Sequence, residues 1–220
     1  TWKYAAGDEA FEGFKEGYTK AGGTIVKELG VAFPNVEFQA LLTEIASLKP
    51  DAVACFFAGG GAAKFMKDYA AAGLKDKIPL YGSGFLTEGT LEAAGDAAEG
   101  VMSTLHYADS LDTPRNKAFR TAYARDFKMQ PDVYAVQGYD AGQLLLLGAD
   151  AVKGDLANKA ALYKAMGSAS IDSPRGKWTM SKSHNPIQDI YLRKVENKDN
   201  KVLGVAAKQL ADSGAGCKMA

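Results

Sequence analysis

Three consecutive glycines, Gly59–Gly61, follow an apolar run that ends at Phe57 and precede a segment with helical periodicity. A turn of this composition lets backbone N–H groups approach a bound molecule, and the N-terminus of the following helix favours an anion. The Gly-Lys-Ser/Thr sequence of a nucleotide P-loop is absent, because Ala62-Ala63-Lys64 stands in its place. The pattern predicts either a small ligand-binding turn or a strand-to-helix turn that serves packing alone.

Aromatic residues are concentrated in three segments that leave strand-like runs, Trp2–Gly7, Phe57–Gly61 and Gly82–Phe85. Open parallel sheets bind ligands outside the carboxyl ends of their strands, and aromatic rings there suit a flat aromatic ligand. Phe57 either contacts the ligand or belongs to the core, whereas the sequence around Tyr4 does not suit a deep core. The residues predicted to contact a ligand are Tyr4, Ala5, Ala6, Phe57, Ala58, Gly59, Ser83, Gly84 and Phe85.

Residues that commonly carry catalysis or bind metals are sparse. His106 and His184 have no nucleophile close in sequence, and no G-x-S-x-G elbow occurs. Cys55 and Cys217 form neither a redox pair nor a zinc-type cluster, and Cys55 lies in an apolar run where a small apolar side chain is expected. We therefore expect no catalytic residues, no metal and no cofactor.

Composition excludes several classes of partner. The chain has 220 residues, 47% of them hydrophobic, with 26 basic and 26 acidic residues that cancel. Without a basic run we expect no nucleic-acid binding. The longest apolar stretch surrounds Leu144–Leu147 and is too short to span a bilayer, so we expect no stable membrane insertion. Thr1–Tyr4 have the composition of a strand end and not of a signal peptide.

The order of the elements predicts an α/β fold. Residues 1–107 alternate between strand-like and helical segments, with strands expected near 24–29, 52–57, 78–81 and 101–107. The run 52–57 is apolar throughout, which is typical of a strand covered on both faces. Short connections between such elements predict a parallel sheet with right-handed crossovers.

The remainder of the chain has a different pattern. We predict helices near 113–126, 133–153 and 156–166, with no strand inside the stretch 113–166. These helices carry more apolar surface than they can bury against one another, so they need a sheet to pack on. Further strands are expected at 177–180, 187–195 and 201–206, followed by a loose tail from residue 212.

A set of short motifs becomes specific through its order and spacing. They are Tyr4–Gly7 with Gly13-Phe14 and Ala21–Gly23, then Lys49–Val53, Phe56–Gly60, Tyr81–Gly84, Ala97–Gly100, Gly138–Ala141 and Ser173–Gly176. In this arrangement the chain resembles the type I periplasmic binding proteins of the leucine/isoleucine/valine-binding group, and among them the sub-group that carries aromatic carboxylates. The resemblance covers essentially the whole sequence.

The resemblance implies a fold of two lobes with the ligand in the cleft between them. Residues 1–107 would form the second, C-terminal lobe as a Rossmann-like parallel sheet. Residues 108–172 would be helices of an incomplete first lobe, and 173–220 would return to the second lobe and form the tail. The first lobe's sheet and the signal peptide would precede Thr1, leaving helices through which two copies could dimerise.

The implied function is that of an extracytoplasmic solute-binding component of an ABC transporter, located in the periplasm. Its partners would be a small-molecule ligand and the transporter's membrane permease. Amino-acid-binding members commonly have an acidic residue near the position of Ser83, where it pairs with the ligand ammonium. A neutral hydroxyl leaves a buried ammonium unpaired, which is costly and argues against an amino acid; alternatively, Ser83 is only a turn residue. Together with the aromatic residues of these segments, the hydroxyl favours an aromatic carboxylate. Cys217 resembles the terminal cysteine of the sub-group, which could pair with a cysteine outside this chain.

Other functions remain compatible with parts of the pattern. A ligand-sensing domain of a receptor or regulator would use the same fold, although no helix-turn-helix is visible in the sequence. An enzyme on a doubly wound sheet would need an acid, base or metal cluster converging on Gly59–Gly61, and the sequence offers none. Branched-chain amino-acid binding is the less favoured ligand alternative.

Overall fold

The computed structural model describes residues 1–218 and divides the chain into two compact units. Unit 1 comprises Thr1–Leu105 and Arg193–Lys201, and unit 2 comprises His106–Leu192 and the residues from Val202 onward. The sequence-based boundaries lay at residues 107 and 172, whereas the structure keeps 173–192 with unit 2. The assignment of each unit to a lobe stays a prediction.

Unit 1 is built from alternating strands and helices. Its elements are β1 (Trp2–Lys3), α1 (Ala5–Lys20), β2 (Val31–Ala32), α2 (Gln39–Leu48), β3 (Val53–Cys55), α3 (Gly59–Ala71), β4 (Leu80–Ser83), α4 (Leu91–Ala94) and β5 (Met102–Leu105). Two 3-10 turns, Gly84–Leu86 and Gly95–Ala98, flank α4. β1 pairs with β2, and β4 pairs with β3 and β5, in parallel throughout. The predicted parallel α/β fold is thus confirmed.

The second strand of unit 1 lies later in the sequence than expected. Residues 24–29 form no strand, so that prediction is wrong, and Val31 pairs with Trp2 instead. Val26 has the β-branched side chain of a strand residue but is 60% exposed, whereas Val31 is 8% exposed. Burial beside β1, and not intrinsic strand propensity, determines which valine enters the sheet.

The core of unit 1 lies against one face of β3. It unites aromatic and aliphatic side chains of α2 and α3 with Phe57 and Trp2. Ala54 is exposed, because side chains alternate along a strand and its neighbour Cys55 takes the core side. The prediction that both faces of 52–57 are covered is therefore wrong in the structure.

Unit 2 combines helices with an antiparallel sheet. Its elements are α5 (Pro114–Phe127), α6 (Val133–Ala151), α7 (Lys159–Gly167), β6 (Ser170–Ile171) and β7 (Trp178–Met180), together with most of β8 (Pro186–Glu196) and β9 (Asp199–Leu210). Thr113 caps α5 by accepting from the Asn116 amide at 3.1 Å, and Asp132 caps α6 in the same way. The three predicted helices are confirmed. None of the helices in residues 1–218 has the length and hydropathy to cross a bilayer.

A short strand occurs where only helix was expected. Ile171 pairs antiparallel with Trp178, so the segment 108–172, expected to supply helices, also supplies a two-residue strand. The pairing buries both side chains in a small cluster against Leu144 and Leu147 of α6. Leu145 and Leu146, on the other side of the helix, are each 60% exposed.

A buried ion pair joins α6 to the turn between β6 and β7. One oxygen of Asp140, Oδ2, accepts from Arg175 Nε at 2.7 Å, Ser173 Oγ at 2.9 Å and Trp178 Nε1 at 3.0 Å. The side chains of Arg175 and Asp140 are 6% and 3% exposed. Burial lowers the pKa of Arg175, and the Asp140 carboxylate opposes that shift.

Candidate functional site

The first four parallel strands of unit 1 are each followed by an aromatic side chain. Tyr4 follows β1, Phe33 follows β2, Phe56 follows β3, and Phe85 stands two residues after β4. The Tyr4 and Phe33 rings are stacked at 4.9 Å, and Phe56 lies 6.4 Å from both Tyr4 and Phe85. We call Phe33, Tyr4, Phe56 and Phe85 the aromatic row. It follows the carboxyl ends of the strands, where open α/β sheets bind ligands.

Phe57 does not belong to the aromatic row, because adjacent side chains of an extended chain point to opposite sides. It is 1% exposed, and its ring packs against those of Trp2, Phe38 and Phe65 at 4.6–5.3 Å. The structure therefore supports the core alternative for Phe57. Its neighbour Phe56, which is only half-buried, occupies the position by Tyr4.

Two helices begin beside the aromatic row without a side-chain cap. Tyr4 is the N-cap residue of α1 and Ala58 that of α3, and neither cap makes a side-chain hydrogen bond. Gly59 opens α3 with φ of 54°, a conformation that favours glycine. The first N–H groups of a helix have no acceptor within it, so the amides around Ala5, Ala6 and Gly59 can meet an anion.

Ser83 is the last residue of β4 and lies directly before the 3-10 turn that carries Gly84 and Phe85. Its Oγ atom is buried and has no hydrogen-bond partner among residues 1–218. A buried hydroxyl without a partner is unfavourable by about 1–3 kcal/mol, so such a group commonly serves a ligand or water. A Cβ on Gly84 would meet the Leu105 side chain at 2.5 Å, which shows how closely this turn packs.

Sequence reasoning missed two members of the aromatic row. Phe33 was missed because β2 was expected at 24–29; a strand at Val31–Ala32 would have placed Phe33 at a carboxyl end. Phe56 was missed because the strand was expected to end at Phe57, whereas β3 ends at Cys55. Period-two alternation, which sends adjacent side chains to opposite faces, is the signal that separates the two rings.

His106 and His184 belong to unit 2, and Cys55 is a buried residue of β3. His106 contacts Gln137 at 3.3 Å, and His184 is exposed in a turn with φ of 60°. Burial raises the pKa of the Cys55 thiol to about 12, which keeps it protonated and unreactive. Among the described residues no three His, Cys, Asp or Glu side chains group together as metal ligands would.

A sequence model described as "Periplasmic binding protein" matches residues 1–201. The chain therefore belongs to the periplasmic binding protein family. It is 33% identical over 208 residues to the Leu/Ile/Val-binding protein homolog 6 of Brucella abortus, covering 90% of this chain and 52% of that protein. The chain thus spans about half the length of the curated relatives it matches.

Solved structures give the same class. The chain is 52% identical to a solute-binding protein of an ABC transporter from R. palustris in complex with benzoate, with a TM-score of 0.93 over 99% of this chain and 60% of that one. A solute-binding protein from Rhodopseudomonas palustris BisB5 in complex with 3,4-dihydroxybenzoic acid is 33% identical, with a TM-score of 0.88 over 98% and 61%. The type I periplasmic binding protein fold predicted from the sequence motifs is confirmed.

Proposed function

We propose that this chain is the greater part of a solute-binding component of an ABC transporter that captures a small aromatic carboxylate. The observation that carries the proposal is the buried Ser83 Oγ, which has no partner among the described residues and adjoins the aromatic row. A hydroxyl at this position supplies a hydrogen bond to a ligand oxygen but cannot neutralise an ammonium.

The aromatic row supplies the surface for the ligand's ring. Tyr4, Phe56 and Phe85 are half-buried, so part of each ring remains available for contact. Aromatic pairs prefer offset or edge-on arrangements with centroids about 4.5–7 Å apart, and the spacings in the row lie in this range. Phe33 extends the row and is exposed.

The carboxylate of the ligand would lie at the N-termini of α1 and α3, where the first backbone N–H groups have no side-chain cap. We assign this role to the backbone around Ala5, Ala6, Ala58 and Gly59, with Gly84 giving close backbone approach on the β4 side. Such contacts bind an anion without a basic side chain.

In this role the protein carries its ligand unchanged and is not an enzyme. Relatives bound to benzoate and to 3,4-dihydroxybenzoic acid support the ligand class, since both are aromatic acids. The ligand would be delivered to the transporter's membrane permease from the periplasm.

We further propose that two copies associate through exposed side chains of α6 when this stretch of chain is isolated. Leu145 and Leu146 are among these side chains.

Calorimetric titration of the full-length protein tests the ligand class. We expect benzoate or 4-hydroxybenzoate to bind at least about 100-fold more tightly than leucine, because a buried ammonium without a carboxylate partner costs about 3 kcal/mol or more. Benzamide, which keeps the ring and removes the charge, is the matched control and should bind more weakly than benzoate. Tight binding of leucine without any response to the aromatic acids would exclude the proposal.

A further inference from the structure

A cluster of buried polar side chains lies directly behind the turn that follows Ser83. Arg193 of β8 and Thr87 are both 0% exposed, and Ser103 of β5 is 3% exposed. The fourth member, Glu88, has a side chain that is 10% exposed. We call these four residues the Arg193 cluster. All of them belong to unit 1.

The guanidinium of Arg193 binds several groups of the turn at once. Its Nη2 donates to the Gly84 carbonyl oxygen at 3.0 Å and to Thr87 Oγ1 at 3.2 Å. Its Nη1 donates to Glu88 Oε2 at 3.0 Å, and its Nε donates to Ser103 Oγ at 3.3 Å. One rigid side chain thereby connects the start of the 3-10 turn, its end and the neighbouring strand.

Stability alone does not explain this cluster. A buried ion pair loses most of its Coulombic gain to desolvation, and well-packed apolar side chains of similar volume are often as stabilising. The planar guanidinium instead offers donors in a fixed fork, which sets the relative positions of its acceptors. Gly84, whose carbonyl it holds, immediately follows Ser83, and a binding constellation needs its supporting groups fixed to within about 0.5 Å.

We propose that Arg193 is a positioning residue of the ligand site, holding the segment Ser83–Phe85 in the geometry that binds the acid. The identity of the ligand in this inference rests on the proposed function. The effect of Arg193 on the geometry of the turn does not depend on it. The turn is also tied by Asn200, whose Nδ2 donates to the Thr87 carbonyl at 3.3 Å, and by Thr90, whose hydroxyl donates to the Leu86 carbonyl at 2.7 Å. Because these contacts remain when Arg193 is lost, we expect the turn to loosen and the rest of unit 1 to stay folded.

The test compares Arg193→Met with Arg175→Met in the full-length protein. Both variants remove a buried guanidinium paired with a carboxylate, but Arg175 and its partners belong to unit 2, whereas Arg193 and Ser83 belong to unit 1. We expect Arg193→Met to weaken benzoate binding about tenfold or more, the equivalent of about one charge-assisted hydrogen bond. Amide hydrogen exchange at residues 83–88 should accelerate at least about tenfold while that of α3 stays unchanged. Arg175→Met should alter neither quantity.

Arg193→Lys keeps the charge but not the fork, so it should restore part of the affinity and only part of the exchange protection. If Arg193→Met fails to fold, Ser103→Ala removes one acceptor of the cluster without unpairing a charge and should accelerate exchange at 83–88 by a smaller factor. Equal losses in Arg193→Met and Arg175→Met, or unchanged exchange at 83–88, would overturn the proposal. If the wild type binds no aromatic acid, the proposed function fails, and the exchange comparison still decides whether Arg193 positions the turn.

Discussion

Ser83→Asp is expected to weaken benzoate binding to the full-length protein by about 100-fold. The substitution places a carboxylate where the buried Oγ of Ser83 now lies without a hydrogen-bond partner among the described residues. Two like charges about 5–6 Å apart repel by about 3 kcal/mol at an effective dielectric constant of about 20, which corresponds to roughly 100-fold in the dissociation constant. Calorimetry of the variant and the wild type under the same conditions measures the difference.

Two further variants separate the effect of charge from the loss of the hydroxyl. Ser83→Ala removes one hydrogen bond and should weaken benzoate binding by about tenfold or less. Ala54→Asp adds the same charge at an exposed position of β3 and should leave the affinity within about twofold. Undiminished benzoate binding by Ser83→Asp would place the ligand elsewhere and contradict the assigned site.

Asp140→Ala is expected to lower the free energy of unfolding by about 3–5 kcal/mol, because it leaves the buried Arg175 guanidinium without its counter-charge. The same substitution removes the acceptor shared by Ser173 Oγ and Trp178 Nε1. Urea denaturation followed by circular dichroism measures the change through the midpoint at a constant m-value.

Asp126→Ala is the matched control for this loss, since it breaks an ion pair with Arg125 in which both side chains are more than half exposed. We expect at most about 1 kcal/mol there. The double variant Asp140→Leu with Arg175→Met should regain much of the stability, because no unpaired charge remains buried. Equal destabilisation by Asp126→Ala and Asp140→Ala would contradict the expectation that the loss of a counter-charge costs more in a buried ion pair than in an exposed one.

The elements of this protein could be predicted where periodicity and end signals agreed. Helix α5 was predicted from Thr113-Pro114, and the structure shows the expected cap and the proline in the first turn. The short strands were harder to predict, because β2 and β6 have two residues each and no periodicity to reveal them. β2 is placed by its pairing with β1, which is distant in sequence. β6 is placed by its pairing with β7, from which a turn separates it.

The candidate site could be predicted to the level of loops but not of side chains. The rule that ligands bind at the carboxyl ends of parallel strands selected Tyr4, Gly59 and Ser83 from sequence alone. It could not decide between Phe56 and Phe57, since either of two adjacent rings could face the core until the strand's register was known. The structure places Phe57 among three aromatic rings and leaves Phe56 beside Tyr4.

The sequence by itself determined the family and fold class, because the order and spacing of short motifs are local properties of the chain. It also determined that the position of Ser83 carries a neutral hydroxyl, which defines the chemistry of the candidate site. Only the tertiary structure decided that Arg193 supports the turn after Ser83, since Gly84 and Arg193 are 109 positions apart. A side chain's partners across such a separation depend on how strands pair and which faces are buried, and no local pattern encodes either.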